Sequence, residues 1–245
     1  MWIGIALALL LAGPLLTLAF GKVSTSGDWR TATHRATGLA PAPAAHPEAV
    51  VQVYASRTFG WRGALADHTW VAAKPAGASQ YTRYEVIGWY AGSGRSVISE
   101  SSQRPPDAEW YGAPPRLLRD LRGADAQAVI DRLPKAVESY AYPAEYRVWP
   151  GPNSNTFVAH LGRAIPELRL SMPSTAIGKD YVSLREIVGP SPSHTGIAVS
   201  LYGLAGVIAA WDEGIEVNVL GLVAGVDVRN PALKIPGLGR IPGGG

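Results

Sequence analysis

The residues best suited to chemistry lie in one short motif that leads into a helix. The motif runs from Trp149 to Leu161 and reads Trp-Pro-Gly-Pro-Asn-Ser-Asn-Thr-Phe-Val-Ala-His-Leu. The prolines force an extended approach, and the apolar residues after them have helical spacing, which predicts a helix from about Asn155 to Arg163. Because Ser154 lies where this helix begins, its hydroxyl is either a helix cap or a nucleophile.

A serine nucleophile needs a base within hydrogen-bond reach, since its own hydroxyl is too weakly acidic. Among the five histidines, only His68 occupies a strand-like position beside an acidic residue. His68 is the predicted base, and Glu85 or Tyr84 on the following polar strand would orient it. The helix N-terminus would contribute backbone N–H groups and positive potential to a developing anion.

The predicted catalytic residues are therefore Ser154, His68 and Glu85. Neighbouring side chains are the predicted substrate contacts, namely Trp70, Tyr84, Asn153 and Asn155. The simpler alternative makes Ser154 or Asn155 a plain helix cap and His68 a structural imidazole.

Several other chemistries are not expected from this sequence. The chain has no cysteine, which excludes thiol nucleophiles, disulfides and zinc–thiolate sites. Neither metal-ligand spacing nor a phosphate-binding glycine loop occurs, so we predict no metal site and no cofactor. The net charge of +3 comes from scattered arginines, and without a recognisable motif it does not predict nucleic-acid binding.

The elements that must position these residues indicate a single α+β domain. The chain has 245 residues, and a hydrophobic content of 47% is enough to bury one core. Alternating and β-branched segments predict short antiparallel strands at residues 50–55, 68–73, 81–89 and 117–121. An amphipathic helix is expected from about Asp125, and Pro134 should kink or divide it.

The ends of the chain have a different character. Residues 2–20 carry no charge, which predicts a membrane helix or a cleaved signal peptide within residues 1–21. Residues 22–48 are rich in Ala and Pro and resemble a tether, in which His34 and His46 would be solvated. The domain would span 49–188, and 189–245 would form a two-stranded β-ribbon with an irregular tail.

The location that these features suggest is the bacterial envelope. A short apolar leader before one domain usually directs export, so the domain would lie in the periplasm, anchored in the inner membrane or released after signal cleavage. Three basic residues after the leader argue for the opposite topology by the positive-inside rule: Lys22, Arg30 and Arg35.

A specific resemblance covers nearly everything after the leader. It is carried by Val51-Gln52-Val53-Tyr54, Thr58-Phe59-Gly60-Trp61-Arg62-Gly63, His68-Thr69-Trp70, Tyr81-Thr82-Arg83-Tyr84-Glu85-Val86, the Asn153-Ser154-Asn155-Thr156-Phe157 motif and Ala176-Ile177-Gly178-Lys179-Asp180-Tyr181. These segments resemble a bacterial envelope family catalogued only as a domain of unknown function, which implies no particular activity.

A more distant resemblance implies a mechanism. His-Thr-Trp on a strand, a polar strand, and Asn-Ser-Asn-Thr-Phe at a helix start are similar to circularly permuted papain-like proteins. These are the NlpC-type peptidases and relatives of lecithin:retinol acyltransferase, whose helix-opening motif contains cysteine. The resemblance implies a papain-like half-barrel in which His68 is the base and Ser154 replaces the thiol nucleophile.

The function expected from this resemblance is an envelope amide or ester hydrolase, or an acyltransferase, acting on peptidoglycan peptides or lipids. An alkanol is a much weaker acid than a thiol, so the serine removes the ready thiolate of that class. The alternative is therefore a catalytically inactive binding or scaffold protein with the same fold.

Overall fold

The computed structural model describes residues 2–20, 23, 28–182 and 187–243, and it confirms the α+β class. These residues form two antiparallel sheets and three α-helices. The helices are α1 (Trp2–Ala19), α2 (Gly123–Glu138) and α3 (Ser154–Ala164). The strands of the first sheet are β1 (Val50–Arg57), β2 (Asp67–Lys74), β3 (Thr82–Val86), β4 (Ile98–Ser101) and β5 (Arg116–Arg122).

The first sheet has the strand order β4-β3-β2-β1-β5, and every neighbouring pair is antiparallel. Four of its strands lie where period-2 alternation and β-branched residues predicted them, whereas β4 lies in a stretch predicted to be loop. The alternation sends Val51, Val53 and Val71 into the main core, where α2 and α3 cover the sheet. On the other face, Tyr54 stacks on Trp70 with their ring centroids 5.5 Å apart.

Helix α2 buries one apolar face and is not divided at its proline. Ala126, Val129, Leu133 and Val137 recur at helical spacing and are buried against the sheet. Pro134 lies inside the helix, which continues to Glu138. Of the two predicted effects, a kink or a division, the division does not occur, because packing of this apolar face outweighs the one backbone hydrogen bond that proline removes.

The predicted two-stranded ribbon is instead a seven-stranded antiparallel sheet, so this prediction needs correction. The strands lie side by side in chain order, from β12 at one edge to β6 at the other, and each forms a hairpin with the next. They are β6 (Val188–Pro190), β7 (Gly196–Leu201), β8 (Ala205–Ala210), β9 (Gly214–Val219), β10 (Leu222–Asp227), β11 (Ala232–Ile235) and β12 (Gly239–Ile241). The prediction merged these short strands into two arms because uncharged, glycine-rich residues run through their turns.

The first 48 residues contact the rest of the fold at several places. The carboxylate of Asp107 accepts hydrogen bonds from the backbone N–H groups of Thr37, Leu39 and Ala40, so this part of the predicted tether is packed. Helix α1 contacts the short turn at Gly60–Ala64. Within residues 2–20, 23, 28–182 and 187–243, no helix is both long enough and apolar enough to cross a membrane.

Candidate functional site

Helix α3 begins with a complete capping box, and Ser154 is not its cap. The Asn153 side chain accepts hydrogen bonds from the backbone N–H groups of Asn155 and Thr156, at 2.9 and 3.1 Å. In return, the Thr156 hydroxyl accepts from the Asn153 N–H. Ser154 is the first helical residue, and its hydroxyl makes no hydrogen bond to any described residue. The predicted capping role therefore belongs to Asn153.

Asn155 fixes the start of α3 against the strand that carries His68. Its amide accepts a hydrogen bond from the Thr69 hydroxyl at 3.0 Å and donates one to the Asp67 carbonyl at 3.0 Å. Asp67 and Thr69 flank His68 in β2, so these two bonds fix the start of α3 against the part of β2 that carries the histidine. A further bond from the Asn155 amide reaches the Ile177 carbonyl at 2.9 Å.

His68 is oriented by a buried ion pair on the neighbouring strand. Its Nε2 lies 3.0 Å from Glu85 Oε2, and the same oxygen accepts a hydrogen bond from Arg83 Nη2 at 2.9 Å. All three side chains are almost completely buried. The predicted pairing of His68 with Glu85 is present, and Arg83 adds a cation to it.

The charge of Glu85 determines which histidine nitrogen is free. Burial alone would raise the pKa of Glu85, but the hydrogen bond from His68 and the charge of Arg83 outweigh it and lower that pKa to about 2. An ionised carboxylate only accepts hydrogen bonds, so the proton of neutral His68 must lie on Nε2. His68 Nδ1 is then an unprotonated acceptor, and it makes no hydrogen bond to any described residue.

His68 is neutral near pH 7 for a related reason. Burial lowers its pKa below the usual 6.5, and the hydrogen bond and negative charge of Glu85 oppose this only in part. A neutral imidazole with a free nitrogen is the state that a general base requires.

Ser154 and His68 line the same cavity of about 1050 Å³. Most of its wall is apolar or aromatic, with contributions from Trp29, Phe59, Trp89, Trp110, Tyr111 and Tyr146. Arg30, Arg62 and Arg104 also line it. Asp67 is the one carboxylate among the described residues of the wall, and it is paired with Arg116. The cavity therefore combines an apolar interior with the positive charge of three arginines, of which Arg30 also pairs with Asp28 at the surface.

Trp110 is the contact that sequence reasoning missed. Its ring stacks on His68 with centroids 3.5 Å apart and planes inclined by 9°. Trp89 stacks on the other side of this cluster, 6.3 Å from Trp110. Trp110 lies in a loop rich in proline and glycine, and only the aromatic pair Trp110-Tyr111 within that loop signalled a role.

Two of the predicted substrate contacts lie outside the cavity wall. Trp70 is fully buried behind His68, and the Arg83 guanidinium lies over its ring with Cζ 4.4 Å from the ring centroid. Tyr84 projects from the opposite face of β3 and packs against the main core. Asn153 and Asn155 do line the cavity, but their amide groups bond the protein itself, so the structure supports a positioning role for both.

The remaining histidines have separate surroundings. His34 was expected in solvent but lines the cavity, with Nδ1 bonded to the Glu109 carbonyl at 3.1 Å. His160 bonds the Ala136 carbonyl, and His194 bonds that of Arg163. His46 pairs with Glu48 near the surface. In the described part of the chain, no group of three or more acidic or histidine side chains is arranged to hold a metal ion.

The matched family covers most of this site. The model of the family described as "Protein of unknown function (DUF3750)" matches residues 48–181, more than half of the chain. The chain belongs to this family. The matched range contains all five strands of the first sheet, α2, α3 and the catalytic candidates, whereas β6 to β12 lie beyond it. No curated protein and no solved structure matches the chain significantly.

Proposed function

We propose that this protein is a serine-type acyl hydrolase or acyltransferase that uses Ser154 as nucleophile, His68 as general base and Glu85 as the orienting carboxylate. One observation carries the proposal. A serine hydroxyl without a hydrogen-bond partner at a helix N-terminus shares a cavity with a histidine whose other nitrogen is tied to an ionised carboxylate. Neither group is needed as a cap or a surface charge, which removes the simplest structural explanation for Ser154.

The proposed reaction follows from these atoms. Ser154 Oγ attacks the carbonyl carbon of an amide or ester while its proton moves to His68 Nδ1. The backbone N–H of Ser154 makes no hydrogen bond to any described residue, so it can donate to the resulting oxyanion at the positive end of α3. His68 then returns the proton to the leaving amine or alcohol. Water or a second acceptor releases the acyl group by the reverse sequence.

The order of these elements is similar to that of circularly permuted papain-like proteins, and we extend the proposal to a papain-like half-barrel on this basis. The cavity favours a substrate with an apolar portion and an anionic group, because aromatic rings and three arginines line it. An envelope location, with the uncharged N-terminal segment as anchor or signal, would supply peptidoglycan peptides or lipids as such substrates.

A second candidate is a binding protein of the same fold that does not turn over its ligand. It is favoured by one observation, namely that no hydrogen bond joins Ser154 Oγ to His68 Nδ1. A general base must come within hydrogen-bond reach of the proton it removes, although such contacts often tighten only when substrate is bound.

Covalent labelling distinguishes the two candidates. The purified protein is expected to gain the mass of one fluorophosphonate adduct, and Ser154→Ala is expected to gain none, whereas Ser93→Ala in an exposed loop labels like the parent. Because Asn153 is the cap, Ser154→Ala should change the free energy of unfolding by less than about 0.5 kcal/mol, so lost labelling cannot be ascribed to unfolding. Labelling that persists in Ser154→Ala would refute the enzyme proposal.

A further inference from the structure

The seven-stranded sheet buries a polar cluster on its inner face, beside Ala198, Ile208 and Val223, and leaves its outward side chains apolar. Along β9, the buried residues alternate with exposed ones, and the buried set includes Glu216 and Asn218. The exposed residues are Ile215, Val217 and Val219, at 50%, 46% and 41%. An antiparallel sheet covered on one face by its own protein normally places apolar residues inward. This sheet departs from that rule, because its outward rows are apolar while charged side chains are buried on its inner face.

Strand register extends the apolar rows across the whole sheet. One row joins Ile197, Ala209, Ile215, Val226, Leu233 and Ile241. The next row joins Val188, Val199, Val207, Val217 and Ala224. A third joins Leu201, Ala205, Val219 and Leu222. These three rows are named the outer face, and none of their side chains is charged or able to form a hydrogen bond.

The buried polar cluster on the inner face explains why the apolar rows do not turn inward. Glu216 pairs there with Lys179 at 2.5 Å and with Lys234 at 2.5 Å. Asn218 donates to Asp180 at 2.8 Å. A shift in register of one residue would bury the apolar rows but expose this cluster and separate its partners. The inward charges therefore fix the apolar residues on the outside.

Helix α1 continues this apolar surface at one edge of the sheet. Gly13 lies so close to the end of β11 that a Cβ atom there would clash with the Pro236 carbonyl oxygen and contact Ile235. Leu11, Leu15 and Leu16 of α1 are exposed, as is Phe20 directly after it. Residues 2–20 carry no charge, so α1 adds uncharged, exposed apolar side chains at this edge of the sheet.

We infer that the outer face rests on the surface of a lipid bilayer, with its apolar rows and α1 against the acyl chains. A protein partner would be expected to leave hydrogen-bonding groups in so large an interface, since interfaces carry about one hydrogen bond per 100–200 Å². The outer face offers no side chain for such bonds. Aromatic residues that suit the headgroup region lie at its ends, namely Trp211 at one end and Tyr202 at the other.

Flotation of the full-length chain with phosphatidylcholine vesicles in 0.5 M NaCl tests this inference. Uncharged lipid and high salt remove the attraction that a net charge of +3 would provide. The parent chain is expected to float, and the double variant Ile215→Lys, Val217→Lys should partition at least about tenfold more weakly because lysine carries charge into the acyl region. The matched control is Leu39→Lys, an exposed apolar position outside the sheet, which should bind like the parent.

A second measurement does not depend on the lysine variants. The chain has no cysteine, so Val217→Cys and Leu39→Cys each accept a single polarity-sensitive fluorophore. Vesicles are expected to shift the emission to the blue at position 217 and not at position 39. Equal shifts, or binding that requires anionic lipid and is lost in salt, would overturn the inference. A lipid-free dimer that Val217→Lys dissociates would also overturn it and assign the face to a second copy of the chain.

Discussion

His68→Gln is expected to slow phosphonylation of Ser154 by about 10²–10⁴-fold without disturbing the fold. The glutamine amide nitrogen takes the place of His68 Nε2, so it preserves the hydrogen bond to Glu85 that the histidine makes at 3.0 Å. What the substitution deletes is Nδ1, the nitrogen that the ionised Glu85 leaves unprotonated. The measurement is the second-order rate constant for fluorophosphonate labelling at pH 7.5.

The matched control for this substitution is His34→Gln. His34 lines the same cavity, but its Nδ1 is bonded to the Glu109 carbonyl, and it has no carboxylate partner comparable to Glu85. We expect less than a twofold change in its labelling rate. If His34→Gln were the slow variant and His68→Gln reacted like the parent, the assignment of the base would be wrong.

Glu216→Gln is expected to lower the free energy of unfolding by about 3–5 kcal/mol. Its carboxylate is almost completely buried between the ammonium groups of Lys179 and Lys234. Without that charge, two lysines share a site in which burial already lowers the pKa of Lys179. Unfolding in urea, followed by tryptophan fluorescence, measures the loss. Glu145→Gln breaks an exposed pair with Arg147 and should cost less than about 0.5 kcal/mol.

The pH dependence of this loss identifies its cause. In Glu216→Gln the buried Lys179 loses the negative charge that opposes the effect of burial, so its pKa is expected to fall further, whereas the unfolded chain keeps a lysine protonated until about pH 10.4. The unfolded state then binds more protons, so the stability of the variant rises with pH and its deficit against the parent shrinks. A deficit that stays constant between pH 7 and pH 10 would indicate a packing defect instead of unpaired charge.

Local patterns were sufficient to predict four of the five strands of the first sheet and the start of α3. Alternation in Val50–Arg57 and Asp67–Lys74, and the run of capping residues before Phe157, each act over a few neighbours. The pairing of His68 with Glu85 could be predicted because adjacent antiparallel strands bring alternate side chains to one face. The sequence did not predict which of the four capping residues caps the helix. The position of Asn153 depends on hydrogen bonds from its amide to the carbonyls of Val148 and Ile177.

Long-range packing accounts for what the sequence did not predict. Trp110 reaches His68 from a loop whose path is set by tertiary contacts, so no local spacing indicates the stack. In β9 the alternation of Ile215, Glu216 and Val217 predicts a strand, but period-2 alternation does not say which face is covered. The usual assumption places valine inside. Here the ion pairs of Glu216 with Lys179 and Lys234 keep the glutamate inside and the valine outside.

The pH dependence of the Ser154 phosphonylation rate tests the proposed site most directly. Burial lowers the pKa of His68 below 6.5. Nδ1 can accept the proton of Ser154 only while the imidazole ring is neutral. The rate should therefore rise with pH, show an apparent pKa below 6.5 and reach a plateau by about pH 7.5. Peptide mapping should place the adduct on Ser154. An adduct on another residue, or a rate that rises through pH 9 without a plateau, would contradict the proposal that His68 activates Ser154.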